Sequence, residues 1–201
     1  MNEHNNHINI NHNVKKYEEL KIKQENDKFI KELDNIIYRT YPGEFLINEI
    51  INLMTEELSE PYPIFTYRYF LNECPESCIM AYDKLEGNKF VGCIIGNCEK
   101  SKKTEKKKGY IAMIAVDKSY RGKRIGKHLC DIFINQLRSV YKADEIYLET
   151  EITNILALKL YESFGFVRTK KLINYYLNGN SAYRLKLWLK VKSEDEEEPE
   201  K

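Results

Sequence analysis

Apolar and polar positions alternate along this chain in two periods, and the switches between them outline a series of short elements. Asn35-Ile-Ile-Tyr-Arg39 reads as a first strand. From Phe45 to Leu58, the residues Leu46, Ile47, Ile50, Ile51 and Met54 recur at helical spacing and predict an amphipathic helix. Pro61 and Pro63 interrupt the chain, and a short aromatic helix is expected over 65–71. Residues 77–82 and 90–97 read as strands joined through the turn formers Gly87-Asn88, and 110–116 as another strand. Ile125, Leu129, Ile132, Phe133 and Val140 share one face of a helix. A strand over 145–150, a helix over 155–164 and strands over 166–176 and 183–191 complete the pattern, the last two separated by the turn Asn178-Gly179-Asn180.

The order β-α-α-β-β-β-α-β-α-β-β mixes hairpins with one parallel crossover, from the Tyr110 strand to the Glu145 strand. It predicts an α+β fold, a mixed and mostly antiparallel sheet with helices on both faces. The domain is expected to span 28–192. Residues 1–27, rich in Asn, His, Lys and Glu, are expected to form a disordered low-complexity leader, and 193–201 an acidic solvated tail. The Lys-rich stretch 101–108 reads as an exposed hairpin loop, with an acidic partner or ribosomal RNA as its alternative ligand.

Composition narrows the function classes. The chain has 201 residues, of which 32 are Lys or Arg and 31 Asp or Glu. The resulting charge of +1 gives no support for a dedicated nucleic-acid binder. No apolar run approaches the ~20 residues that span a bilayer, so no membrane association and a cytoplasmic location are expected. Cys74, Cys78, Cys93, Cys98 and Cys130 form no C-x-x-C pair, and free, buried or half-buried thiols are expected rather than a metal site.

The most informative segment is Ile111 to Gly126, where a buried strand runs into the basic, glycine-bearing loop Arg121-Gly-Lys-Arg-Ile-Gly126 and then a helix. This arrangement aims backbone N–H groups and a helix dipole at one point, with Arg121, Lys123 and Arg124 adding charge, and a pyrophosphate is the natural guest. The loop is neither a P-loop nor a dinucleotide turn.

The loop resembles the acetyl-CoA loop of the GNAT superfamily, [RQ]-x-x-G-x-[GA], except that Arg124 replaces the central glycine. Two readings follow. Either the position needs a positive φ and Arg124 carries a steric cost, or it does not and the guanidinium helps hold the pyrophosphate; the second is favoured here. Further motifs resemble a single family, the catalytic subunit of the NatC N-terminal acetyltransferase. They are Ser59-Glu-Pro-Tyr62, Phe65-Thr-Tyr-Arg-Tyr-Phe70, Gly109 to Val116, Leu148-Glu-Thr-Glu-Ile-Thr-Asn154, Ala157 to Glu162, Gly165-Phe-Val-Arg168 and Tyr175-Tyr-Leu-Asn178.

That resemblance implies a GNAT fold, acetyl-CoA as co-substrate, and transfer of acetyl to the α-amino group of an initiator Met followed by a bulky hydrophobic or amphipathic residue. It also implies NatC-type auxiliary subunits, nascent N-termini as substrates and contact with the ribosome. Strand alternation puts Glu149 and Glu151 on one face and cannot separate them; the resemblance selects Glu149 as the general base. It also implies Tyr161 as the group that protonates or orients the leaving sulfur. Expected cofactor contacts are Ile114, Val116, Arg121, Gly122, Lys123, Arg124, Ile125, Gly126, Asn154 and Tyr161, with oxyanion donors among the N–H groups of 114–116. Glu60, Tyr62, Tyr110, Tyr175 and Tyr176 are expected to line the peptide site. His128 is the only histidine outside the leader and no nucleophile set is evident, so direct transfer is expected. A GNAT enzyme acting on lysine side chains or a small amine is the alternative.

Overall fold

The computed structural model of the protein describes residues 28–189; the expected leader and acidic tail lie outside the described residues. The chain runs β1 (Phe29–Leu33), β2 (Ile36–Thr40), α1 (Ile47–Glu57), α2 (Ile64–Glu73), β3 (Ile79–Asp83), β4 (Lys89–Lys100), β5 (Lys107–Val116), α3 (Ile125–Ser139), β6 (Glu145–Glu151), α4 (Ile155–Glu162), β7 (Val167–Leu172) and β8 (Ala182–Trp188). The strands form one sheet in the order β1-β2-β3-β4-β5-β6-β8-β7. Every neighbouring pair is antiparallel except β5 and β6, the crossover expected from the sequence.

Helices cover both faces. On one side Ile125, Leu129, Ile132, Phe133 and Leu137 of α3, with Leu158 and Tyr161 of α4, pack on Tyr38, Ile79, Ile94, Ile146 and Leu148. On the other, Ile47, Ile50 and Met54 of α1, with Tyr67, Phe70 and Leu71 of α2, pack on Met80, Cys93, Ile95 and Met113. Strand alternation sorts the residues between these two cores, which is why central strands such as β4 read as nearly continuous apolar runs. Cys74, Cys78, Cys93 and Cys130 are buried and Cys98 is half-buried, all as free thiols.

Several boundaries differ from the sequence expectations. Asn35 does not start a strand: Asp34 (φ 49°) and Asn35 (φ 64°) form a two-residue turn that joins β2 to β1. Positive φ at both positions is the hairpin geometry that Asp and Asn tolerate. The helix expected from Phe45 begins with a 3-10 turn over Glu44–Leu46. The strand expected over 166–176 stops at Leu172, so Tyr175 and Tyr176 lie in the connection to β8, which Gly179 (φ 82°) turns. The Lys-rich stretch closes the β4–β5 hairpin, with Ser101 N–H donating to the Lys106 carbonyl at 2.8 Å.

Candidate active site

The site is built around a gap in the sheet. β5 and β6 pair only where Lys108–Tyr110 lie beside Glu145–Tyr147. Beyond that point β5 runs on to Val116 and β6 to Glu151 without pairing to each other. The register against β4 explains the departure. Gly96 sits opposite Ile111 and Ile95 opposite Met113, leaving Ala112 as a bulged extra residue. A bulge bends its strand and strengthens the local twist, which swings β5 away from β6. Gly96 permits the close approach, because a Cβ there would lie 2.1 Å from the Tyr110 carbonyl oxygen and 2.7 Å from Phe133 Cζ. After the bulge, Ile114 and Val116 pack toward α3 and α4, and the β6-facing edge of β5 has no strand partner.

At the end of β5 the chain makes a 3-10 turn over Lys118–Tyr120, held by the Asp117 carboxylate accepting from Ser119 N–H at 2.8 Å. Gly122 (φ 80°) and Arg124 (φ 62°) then turn the chain into α3. His128 N–H donates to the Arg124 carbonyl at 3.0 Å, and no side chain caps the helix. The N–H groups of Ile125, Gly126 and Lys127 therefore open the helix with no intrahelical acceptor, at the positive end of a 15-residue dipole. The Lys123 ammonium lies 4.4 Å from the Tyr120 ring centroid. A Cβ on Gly126 would meet only Val116 and Leu160, at 3.8 and 4.0 Å, so the space above the helix start is open. This donor set fits a pyrophosphate.

The structure of this loop corrects one expectation and gives another of its residues a partner. Arg124 does occupy a left-handed position, so the reading that avoided a positive φ there is wrong and the arginine bears the steric cost. The Arg121 guanidinium is not free over the loop: it pairs with the Glu57 carboxylate at the end of α1, whose side chain is buried.

On the same face, Asn154 caps α4 by accepting from Ala157 N–H at 3.1 Å. Tyr161, about two turns further on, is buried edge-on to Phe166, with ring centroids 5.7 Å apart. Its hydroxyl makes no hydrogen bond among the described residues, and burial holds its pKa well above the ordinary tyrosine value.

The opposite face carries a carboxylate in an aromatic box. The Glu149 side chain is 4% exposed and accepts from Arg184 Nε at 2.6 Å. Tyr110, Tyr62 and Tyr175 surround it. In each, burial first and then the negative charge of Glu149 raise the phenol pKa. The Tyr176 phenol is raised by burial and then by Glu151. Glu60 is tied across the cleft, its carboxylate accepting from Asn178 N–H at 3.2 Å. The peptide-site residues read from the sequence thus come together around Glu149.

The geometry also separates the two glutamates that alternation left equal. Glu151 accepts from Asn178 Nδ2 and Asn180 Nδ2 at 3.4 and 3.5 Å and from Thr153 Oγ1 at 3.3 Å, so it braces the β7–β8 turn. Sequence reasoning missed Arg184, Tyr147 and Glu57. Arg184 stands directly opposite Glu149 in the β6–β8 ladder, and pairing those two strands on paper would have found it. Tyr147 stacks on Tyr110 at 4.8 Å. No sequence signal brings Glu57 to Arg121.

With this geometry in hand, the likenesses are informative. The acetyltransferase (GNAT) family pattern matches residues 47–166. N-alpha-acetyltransferase 30 of Xenopus laevis is 48% identical over 78% of this chain and 56% of its own length. The Dictyostelium discoideum protein of that name is 44% identical over 80% of this chain and 83% of its own. The chain spans about half the length of the vertebrate relatives, which run to 56% and 41% coverage. Among solved structures, the NatC complex bound to Gag peptide and CoA contains a chain 41% identical to this one, with a TM-score of 0.74 over 78% of this chain and 99% of that one. A strand gap flanked by an uncapped basic helix start on one face and a buried glutamate on the other, carried by a sequence this similar, places the chain in the GNAT acetyltransferase family, within its N-alpha-acetyltransferase 30 group.

Proposed function

We propose that this protein is an N-terminal acetyltransferase that moves acetyl from acetyl-CoA to the α-amino group of an initiator Met followed by an apolar residue, within a NatC-type assembly with auxiliary subunits. The observation that carries the reading is the placement of Glu149, a carboxylate set among Tyr62, Tyr110 and Tyr175 beside the gap whose other side holds the basic, uncapped helix start.

Acetyl-CoA supplies an activated thioester. The N–H groups of Ile125, Gly126 and Lys127, with Lys123 and Arg124, hold its pyrophosphate, and the open edge of β5 around 114–116 offers N–H donors to the charge that grows on the carbonyl oxygen. An α-amino group is protonated near neutrality, with an ordinary pKa of about 7.7–8.0, and must lose a proton before it attacks. Glu149 takes that proton, directly or through a water, while Arg184 fixes the carboxylate. Tyr161, on the thioester side of the gap, gives a proton or a hydrogen bond to the sulfur as the C–N bond forms and the C–S bond breaks. Tyr62, Tyr110 and Tyr175 desolvate the first two side chains of the peptide, which favours apolar ones because a charged second residue would lose hydration without a partner.

Among the described residues no helix is long and apolar enough to cross a membrane; as a separate part of the proposal, the enzyme meets nascent chains at the ribosome in the cytoplasm. The test pairs two substitutions with a peptide panel. Glu149→Gln should retain CoA binding and lower turnover on Met-Leu peptides by about 10²–10⁴-fold, as loss of a general base does. Glu151→Gln should be mild. Crippling by Glu151→Gln alone would reject the base, and acetylation confined to internal lysines would reject the substrate class.

A further inference from the structure

The face that carries Glu149 also holds a cavity of about 250 Å³ that no step above uses, lined by Tyr69, Asn97, Glu99, Lys108, Tyr110 and Tyr147. It adjoins the acceptor cleft, because the stacked pair Tyr110 and Tyr147 belongs to both. Burial first, and then the charges of Glu149 and, more weakly, Glu99, raise the Tyr147 phenol, so both carboxylates act on that ring.

The charges in this cavity do not cancel evenly. Lys108 is held by Glu145 at 3.2 Å and Lys100, at the rim, by Glu105. Glu99 has no cationic partner among the described residues. Its carboxylate is instead aimed by neutral donors, accepting from the Tyr69 hydroxyl and from Asn97 Nδ2 at 2.8 Å. Glu99 itself is exposed, and the buried Asn97, two residues earlier on the same strand, gives it one anchored donor. An exposed carboxylate oriented by two neutral donors, with no cationic partner among the described residues and three tyrosine rings around it, has the chemistry of a cation site, where the carboxylate supplies the charge pairing and the ring faces the remainder.

We propose that this cavity receives a Lys or Arg side chain from the acceptor peptide, downstream of its first two residues, and so adds a basic preference to the apolar one. The inference rests on the N-terminal acetyltransferase reading. An extended peptide advances about 3.3 Å per residue, and a single layer of stacked rings separates the cavity from Glu149. The third to fifth residues are therefore the ones that reach it. A long basic side chain lays its methylenes along the rings and delivers its head group to Glu99.

The test uses the full-length chain and peptides that begin Met-Leu and carry a single Lys, Gln or Glu walked through positions three to five. At one of these positions Lys should raise kcat/KM over Gln by about ten-fold at low salt, and the advantage should shrink as ionic strength rises. Glu99→Gln should abolish that advantage and leave the Gln-bearing peptides unchanged, while Tyr69→Phe should reduce it. Calorimetric affinities of CoA-acetyl-Met-Leu conjugates bearing Lys or Gln read the same contrast without turnover. Equal values for Lys, Gln and Glu, a preference for Glu, or a Lys advantage that survives Glu99→Gln would overturn the proposal. Failure to acetylate any Met-Leu peptide would count against the enzymatic reading instead, and the conjugate affinities would still decide the cavity.

Discussion

Arg124 offers a sharp test because its backbone and its side chain pull in opposite directions. At φ 62° and ψ 9° it sits in the left-handed region, where an L-residue with a Cβ bears about 1–2 kcal/mol of strain. Arg124→Gly removes that strain but lets the unfolded chain explore more conformations, at a cost of about 0.5–1 kcal/mol. The balance is a gain of roughly 0.5 kcal/mol, or a rise of about 1–2 °C in Tm for a domain of this size. The uncapped N–H groups at the start of α3 stay in place, so the helix end still binds an anion. The exposed guanidinium is lost, and with it a solvent-screened attraction of about 0.5–1 kcal/mol, so CoA should bind roughly three-fold more weakly.

Scanning calorimetry without ligand and CoA titrations at two ionic strengths separate the two terms. Arg124→Ala completes the set: it loses the charge and keeps the strain, so its affinity should match that of Arg124→Gly while its Tm should not rise. A Tm that falls by several degrees in Arg124→Gly would refute the strain argument. An affinity that is unchanged in both variants would refute any part for the guanidinium in holding the pyrophosphate.

Three further outcomes are expected. Gly96→Ala should cost more than about 3 kcal/mol in denaturant unfolding, since its Cβ would meet a backbone oxygen and a buried ring with nowhere to move; a normal midpoint would mean the bulge can shift. His128 accepts or shares a proton with the Tyr38 hydroxyl at 3.0 Å, and burial lowers its pKa below the ordinary 6.5. The unfolded chain then binds more protons, so stability should be full above about 6.5 and fall as pH drops below it, with His128→Gln flattening that part of the profile. Replacing 102–106 by Gly-Ser should leave acetylation of short Met-Leu peptides without basic residues unchanged, because the hairpin loop is exposed and carries none of the residues around Glu149 or the α3 start; loss of activity would show that the loop reaches the site.

The parts of this fold that were legible in the sequence are those set by local periodicity. The apolar run of β4, the alternation in β5 and β6 and the apolar faces of α1 and α3 follow from which side each residue turns to a core, and they emerged within a few residues of their ends. The loop before α3 was legible for the same reason: glycine, basic residues and a helix start are adjacent in the chain. What escaped depends on register. A single bulged residue, Ala112, opens the sheet, and nothing in its own identity announces it; the signal is the glycine sixteen residues earlier that lets the strands approach. The choice between Glu149 and Glu151 is of the same kind. The two share a strand and a face, and what sets them apart is that Arg184 lies across from one and the Asn178–Asn180 turn from the other. The surroundings of the two carboxylates are therefore set by β8 and the turn that precedes it as much as by β6. If Glu149 is the base, exchange of Arg184 should lower turnover through the carboxylate it holds.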